Sequence, residues 1–332
     1  MFQFIIGKIG QYALVLLIAV TLNFMLPRMM PGNPLALLAG EEVNLLTAEQ
    51  RTQLMVSVGL NQPLAIQYLR YLQNLARGDL GYSYQKNKPI TMILADRLPW
   101  TLLLTGTSLI LATLIGVTSG ALAAWKRGRR SDLGMLGFFV FLESLPSFWV
   151  GMLLVSLFAV QWPLFPTFGA VTPWVTLTGW ARTADILRHL ALPVTTLTIV
   201  SVPGTFLVAR YSTLAVLGED FIMVARAKGL SERRVLFGHV VRNALLPVAT
   251  IFTLNLAFAF GGATVVETVF SYPGIGRLIY EAVLNRDYPV LQAAFLMITV
   301  MVIAANILAD MVYPLLDPRV RQGQARVGGG RP

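Results

Sequence analysis

The chain contains no cysteine among its 332 residues. That excludes disulfides, thiolate metal sites and iron–sulfur clusters as sources of stability or chemistry. Histidine is nearly as scarce. His189 and His239 are the two copies, far apart in the chain, and no metal site is expected from them. Charge is also short: 13% of residues are charged against 55% hydrophobic, where a soluble domain carries about 25% charged residues. A water-soluble fold would leave much of this apolar surface exposed, and lipid as solvent removes the difficulty. A phosphate loop is missing too. The chain has no Gly-x4-Gly-Lys-Ser/Thr run, and its Gly-Lys pair, Gly7-Lys8, is followed by Ile9. The chain is therefore not expected to be an enzyme, and no cofactor is expected within it.

What the chain has instead is long apolar runs. Six approach or exceed the roughly 20 residues that cross a bilayer as helix, at about 9–26, 100–124, 133–160, 190–217, 244–266 and 290–316. Chain exposed to lipid must satisfy its own backbone hydrogen bonds, so runs of this length predict helices. The fold expected is an all-α polytopic membrane protein with six transmembrane helices. Pro193 and Pro203 are candidate kinks in the fourth. The first run follows Lys8 but precedes Leu26-Pro27-Arg28-Met29-Met30, which is no small-residue cleavage site, so it is expected to be retained.

The net charge of +10 could suggest nucleic acid, but its distribution fits a membrane better. With the N-terminus cytoplasmic, the basic residues of 126–130, 210–242 and the tail all lie inside. The short outer loops keep Arg182, Arg188, Arg277 and Arg286. Both termini are then cytoplasmic, and no nucleic-acid partner is needed. The expected layout is residues 1–26 as N-terminus and first helix, 27–99 as an outer segment and 100–316 as a five-helix core. A cytoplasmic loop at 218–247 lies within that core, and 317–332 form a polar, Gly-rich cytoplasmic tail. Within the outer segment, 47–58 and 63–76 carry helical apolar spacing, punctuated by Gly59, Pro63, Gly78 and Gly81.

The 218–247 loop is more than a connector. A short helix over 221–228 can end at Gly229, a favoured residue just past a helix terminus. Ser231 can cap a second helix, with Glu232 near its positive end. Val235, Leu236, Val240 and Val241 form an apolar side. Two readings fit this spacing: a knob that enters a groove on another protein, or a basic amphipathic loop lying on anionic lipid.

The residues of this loop carry a resemblance. Ala225-Arg226-Ala227-Lys228-Gly229-Leu230-Ser231, then His239, then Arg242-Asn243-Ala244-Leu245-Leu246-Pro247 resemble the dipeptide/oligopeptide/nickel permease family of binding-protein-dependent ABC importers. The wider Glu-Ala-Ala…Gly signature of such permeases is matched less well. Its Glu falls on Met223, its first Ala on Val224, and its Ile-x-Leu-Pro on His239-Val240-Val241-Arg242. The resemblance extends in order along the chain: Pro31-Gly32-Asn33-Pro34, Gly59-Leu60-Asn61-Gln62-Pro63, Gly78-Asp79-Leu80-Gly81, Arg97-Leu98-Pro99, Glu267-Thr268-Val269-Phe270-Ser271-Tyr272-Pro273-Gly274-Ile275-Gly276, Arg286-Asp287-Tyr288-Pro289 and Leu316-Asp317-Pro318-Arg319.

The resemblance implies a type I ABC importer permease in the bacterial inner membrane. Its implied partners are a second homologous permease, two ATP-binding-cassette ATPase subunits that bind ATP and Mg, a periplasmic or lipid-anchored solute-binding protein, and the lipid bilayer. It also implies that the loop transmits ATP-driven motion. Ala225 and Ala227 would allow close docking. Arg226, Lys228, Arg233, Arg234 and Arg242 would supply polar contacts, Gly229 and Ser231 the turn, and His239 a hydrogen bond. The cargo implied is a di- or oligopeptide, with glutathione, nickel chelates, opines and sugars as family alternatives.

Acids inside membrane runs are functional candidates. Glu143, about ten residues into the third run, is a candidate for the translocation path or for a helix-packing hydrogen bond. Glu267, near the outer end of the fifth, is a candidate gate residue or loop anchor. Asp310 is expected at the interface, and Trp162, Trp174 and Trp180 in an aromatic belt. The competing class is a stand-alone secondary transporter or channel. Such proteins often show repeated halves with broken helices at matching places, and no such repeat is visible.

Overall fold

A computed structural model describes residues 2–29, 47–57 and 61–316. The Pro31-Gly32-Asn33-Pro34 element, Gly59-Leu60 and the 317–332 tail lie outside the described residues. In chain order the helices are α1 (Phe2–Met29), α2 (Ala48–Ser57), α3 (Leu64–Ala76), α4 (Ile90–Trp125), α5 (Arg130–Glu143), α6 (Ser147–Val155), α7 (Gly179–Leu217), α8 (Asp220–Ala227), α9 (Glu232–Arg234), α10 (Val241–Gly262), α11 (Thr264–Val269), α12 (Ile275–Leu284) and α13 (Tyr288–Leu316). Two strands, β1 (Tyr82–Ser83) and β2 (Lys88–Pro89), pair antiparallel just before α4. The expected all-α class is what the chain adopts.

Among the described residues, four helices are long and apolar enough to cross a membrane: α4, α7, Glu232–Leu256 and Tyr288–Leu308. The helices before and after Pro146 make a fifth if counted as one broken span. In α1 the apolar stretch is the shorter Gly10–Met25. Helices α4 and α7 start about ten residues before the apolar runs that signal them. Apolar composition marks only the lipid-crossing part, while backbone hydrogen bonding continues into the aqueous zone. Helix α7 also runs unbroken through Pro193 and Pro203.

The third run departs from expectation. It is two helices bent by 94°, with Pro146 at the start of the second in extended conformation. Proline disfavours helical geometry at the residue before it, so the chain turns at residues 144–146. Glu143 is consequently the last residue of α5, not a residue deep within one continuous helix. It is exposed.

The described chain divides into two units. One joins the chain up to Thr101 with Pro273–Ile303; the other joins Leu102–Tyr272 with the chain from Ala304. The core of the first comes from three helix faces with matching periodicity. Ile90, Ile93 and Leu94 meet Ile275, Leu278 and Ala282, and Val290, Ala293 and Ala294. Positions three and four apart share one face of a helix, which is why these residues converge. On α1, Asn23 donates to the Gln292 carbonyl at 2.7 Å, and the Gln292 amide donates back to the Asn23 carbonyl. Phe24 packs against Tyr68 and Tyr71 of α3, with ring centroids 5.1 and 5.6 Å away. The expected helices of the outer segment are thus present as α2 and α3, and α3 is seated on α1.

In the second unit, α4 and α7 touch backbone to backbone. A Cβ on Gly116 would sit 2.7 Å from Thr205 Cβ, and one on Gly120 would sit 2.6 Å from the Phe206 carbonyl oxygen. Only glycine at both positions allows this approach. Phe206 then stacks on Phe139 of α5 at 4.3 Å between centroids, within a core that includes Ala112, Ala123 and Val202.

Candidate functional site

The loop between α7 and α10 folds as a compact helical knob. Glu219 is extended and α8 begins at Asp220, an acid in the first turn where the helix dipole favours it. The helix ends in a Schellman arrangement: Gly229 N–H donates to the Arg226 carbonyl at 2.9 Å and Leu230 N–H to the Ala225 carbonyl at 3.4 Å. That closure needs a left-handed residue, and Gly229 has φ +77°. A side chain there would cost about 1–2 kcal/mol.

Ser231 then lies extended at the cap position of α9, with its side chain making no cap hydrogen bond. The expected cap therefore works through backbone, with Val235 N–H donating to the Ser231 carbonyl at 3.0 Å. The chain continues through a π-helical turn, Val235–Val240, directly into α10. Short π-helical segments recur at functional places in helices. This one makes α10 a continuous rod from the knob into the apolar span.

The knob has its own interior. Ile222, Ala225, Val235, Leu236 and Val240 are each at most 6% exposed. Trp125, Val216, Leu217, Leu230 and Val241 pack around them. Burying each of the larger aliphatic side chains is worth about 1.5–3 kcal/mol, so the knob holds its shape without a partner. Its outer face is unusual in being apolar as well as basic. Phe221 is 43% exposed, Met223 71%, Val224 51% and Phe237 66%. The surface also carries Arg226, Ala227, Lys228, Ser231, Arg233, Arg234 and Arg242.

The residues singled out from sequence thus divide. Ala225 is turned inward and belongs to the knob's interior, whereas Ala227 is on the surface. Arg226 is engaged within the chain: its Nε is 3.4 Å from Glu232 Oε1, and its guanidinium lies 5.5 Å from the Trp125 ring centroid. His239 is partly buried, and its carbonyl accepts the Asn243 side-chain amide at 2.7 Å. Sequence reasoning missed Phe221, Met223, Val224 and Phe237. Helical phase was the available signal: Ile222 and Ala225, three apart, mark the inward stripe, leaving 223, 224 and 227 outward.

A second missed feature lies in the first turn of α5. Arg210 of α7 reaches Asp132, Nε to Oδ1 at 2.8 Å and Nη2 to Oδ2 at 3.0 Å. Asp132 is 1% exposed and also accepts the Gly128 N–H at 3.1 Å. A lone arginine within an apolar run needs an anionic partner, and that need was the legible signal.

Neither of the two acids proposed from sequence is among the packed residues of the knob. Glu143, exposed at the 94° bend, has no hydrogen bond or ion pair among the described residues. Glu267, in the first turn of α11, is fully buried. Its carbonyl accepts the Tyr272 N–H at 2.7 Å. Tyr272 is also fully buried, and burial together with the Glu267 carboxylate pushes its phenol up. Phe270 lies between the two in sequence, and its carbonyl accepts the Gly169 N–H at 2.9 Å. The segment is thus pinned to the loop that follows α6.

Comparison with known proteins places this architecture. Residues 116–322 match the family described as binding-protein-dependent transport system inner membrane component. Residues 1–105 match the N-terminal model of the same kind of membrane component. The chain belongs to this family. It is 37% identical to the dipeptide transport system permease protein DppB of Escherichia coli (strain K12), over 97% of this chain and 99% of that one. It is also 37% identical to the oligopeptide transport system permease protein AppB of Bacillus subtilis (strain 168), over 90% of this chain and 93% of that one. The solved structure of the MetNI methionine ABC transporter in inward-facing conformations superposes with a TM-score of 0.56. That match is at 15% identity and covers 68% of this chain and 97% of that one; it shows the fold alone. The chain is therefore a multi-pass inner-membrane permease component of an ABC importer, with the type I importer permease fold. The secondary-transporter alternative loses its support.

Proposed function

We propose that the chain is one of two related permeases that together form the path for di- or oligopeptides, driven by two partner ATPases through the 218–247 knob. One observation carries this: a self-supporting knob that turns Phe221, Met223, Val224 and Phe237 outward. An exposed apolar cluster rimmed by cations is favourable only when covered, and about 25 cal/mol per Å² is recovered on covering it. A groove on an ATPase subunit is the covering surface that an importer supplies. Met223 and Val224 stand where the wider permease signature has Glu and Ala, so apolar contact replaces the usual polar one here.

The mechanism follows from the rod continuity of α10. ATP closes the ATPase pair and displaces the docked knob. Gly229 keeps the turn between α8 and α9, and the π-helical turn passes the displacement into α10. ATP shifts the inward/outward equilibrium only through its different affinity for the two states. Ala227, Lys228, Arg233, Arg234 and Arg242 belong to the docking surface, with Ser231 and His239 in the turn and its root. Ala225 and Arg226 act by holding the knob's shape. Six spans with both termini cytoplasmic complete the layout, the first being the helix with the short apolar stretch. Glu143 lines the path at the bend. Full burial of Glu267 supports the loop-anchor role over a gate. A solute-binding protein supplies cargo at the outer face, and the ATPases bind ATP and Mg.

The test uses the reconstituted complex. Gly229→Pro and Ala227→Trp are expected to abolish cargo-stimulated ATP hydrolysis and weaken co-purification with the ATPase subunits. Normal stimulated hydrolysis in both would refute the docking assignment. Cross-linking of residue 227 to lipid alone throughout turnover would favour the membrane-surface reading instead. The cargo is tested by uptake of a labelled peptide panel in a deletion strain, with nickel and glutathione controls. Intact uptake of every peptide would refute the peptide assignment.

A further inference from the structure

The turn that joins α4 to α5 is short, basic and rigidly built. Its sequence is Lys126-Arg127-Gly128-Arg129, and Arg130 opens α5. Arg129 N–H donates to the Lys126 carbonyl at 3.0 Å, and Gly128 takes the left-handed conformation, φ +77°. The Gly128 N–H is held at 3.1 Å by Asp132. That carboxylate is buried and bound to Arg210 through both oxygens. The buried acid thus shapes the turn without neutralising its rim. Residues 126–130 are all exposed. Lys126, Arg129 and Arg130 have no carboxylate partner among the described residues, whereas Arg127 acts on Asp132 through its charge.

Exposed apolar surface lies on either side of these cations. Leu114, Ile115 and Leu122 of α4 and Leu133, Phe138 and Phe141 of α5 are exposed. Basic residues that begin where such surface stops mark the level of lipid headgroups. Four extended residues span at most about 14 Å, and both ends of the turn are fixed to apolar helices, so its cations stay at that level. Clustered Lys and Arg directly beyond a spanning helix attract anionic lipid.

We infer that the 126–130 turn is a seat for anionic phospholipid headgroups, and that lipid held there steadies the 218–247 knob. Lys126, Arg129 and Arg130 hold the phosphate, and Asp132 positions them. The link to the knob is Trp125, the last residue of α4, which packs against the knob's interior. The Arg226 guanidinium lies 5.5 Å from its ring centroid. Headgroups on Lys126 therefore act one residue from a side chain that supports the knob. The effect on ATP hydrolysis rests on the docking reading above; the lipid seat does not.

The experiment places the whole transporter in nanodiscs of phosphatidylcholine with a rising fraction of phosphatidylglycerol. Native mass spectrometry counts retained phosphatidylglycerol, and cargo-stimulated ATP hydrolysis is read in the same samples. In the wild type both are expected to rise together to a plateau. Lys126→Gln/Arg129→Gln/Arg130→Gln is expected to need about tenfold more phosphatidylglycerol for half the effect. Lys126→Arg/Arg129→Lys/Arg130→Lys keeps the charges and should match the wild type. Higher salt should move the wild type toward the glutamine variant, because these charges are exposed. An unchanged midpoint in the glutamine variant overturns the proposal. Loss of ATPase subunits from that variant in phosphatidylcholine alone also overturns it, since the turn would then be covered by the motor. Inorganic phosphate that replaces the lipid at equal ionic strength overturns it as well. Lipid retained at the turn while hydrolysis ignores it overturns the steadying role. A wild-type chain that retains the lipid but holds no ATPase refutes the docking reading alone.

Discussion

Arg210 and Asp132 meet through two parallel contacts of 2.8 and 3.0 Å, although 78 residues separate them. The pair ties α7 to the first turn of α5. It also fixes the basic turn after α4, because Asp132 holds the Gly128 N–H as well. Removing one partner leaves a charge without compensation in a site where water is scarce. Asp132→Leu alone, or Arg210→Met alone, is expected to cost about 3–5 kcal/mol. Replacing both residues with apolar ones, Asp132→Leu with Arg210→Met, is expected to restore most of it, since the desolvation penalty disappears with the charges. Thermal unfolding of the four members of the double-mutant cycle in one detergent measures the coupling. Additive losses would refute the pairing.

The close approach of α4 and α7 gives a second expectation. A methyl group at Gly120 meets backbone, the Phe206 carbonyl oxygen at 2.6 Å, and backbone cannot rotate away. Gly120→Ala is expected to destabilise by about 1–3 kcal/mol. Gly134, within α5, has nothing within 4 Å of a built Cβ. There Gly134→Ala is expected to be neutral or stabilising by up to about 1 kcal/mol, through helix propensity. The two unfolding temperatures should move in opposite directions.

The contrast between these positions explains what was legible in sequence. Hydropathy exposes spans because lipid imposes one rule on every residue of a run, and α4, α7 and α13 appear where the runs predict. Turn chemistry is equally local, so Gly229 and the helix before it are placed within a residue. Hydropathy carries no angle, however. Residues 133–160 stay apolar through the bend at Pro146, so hydropathy alone sets Glu143 in the interior of a helix that does not exist. Arg210 announced its need for an acid but not which one. Motif position alone puts Ala225 on the docking surface, whereas its spacing from Ile222 puts it inside.

Asp287 provides a third expectation. It is 3% exposed, precedes α13, and accepts the Val290 N–H at 3.4 Å and the Ser83 hydroxyl at 2.5 Å. It is thus both the helix cap and the anchor of the β1–β2 turn. Asp287→Ala loses the cap, about 0.5–2 kcal/mol, and leaves Ser83 buried without its acceptor, about 1–3 kcal/mol more. Asp287→Asn keeps the cap acceptor and should recover part of that loss. Proteolysis of the 82–89 segment reads the anchoring directly: the alanine variant is expected to be cut faster there than the asparagine variant.

The proposed docking of the knob can be separated from its folding, because its inner and outer faces are different residues on one short helix. Ile222 is 1% exposed and Met223 71%. Met223→Glu places a charge in water at no folding cost, so the chain should reach the membrane in normal amounts and unfold at the usual temperature. Facing an apolar groove, the same charge must be desolvated without a partner, and co-purified ATPase should fall at least tenfold, about 1.4 kcal/mol. Phe237→Glu should behave the same way. Ile222→Glu puts the charge inside the knob, and both yield and ATPase retention should fall together. If Met223→Glu keeps its ATPase subunits, the apolar face of the knob is covered by something other than the motor.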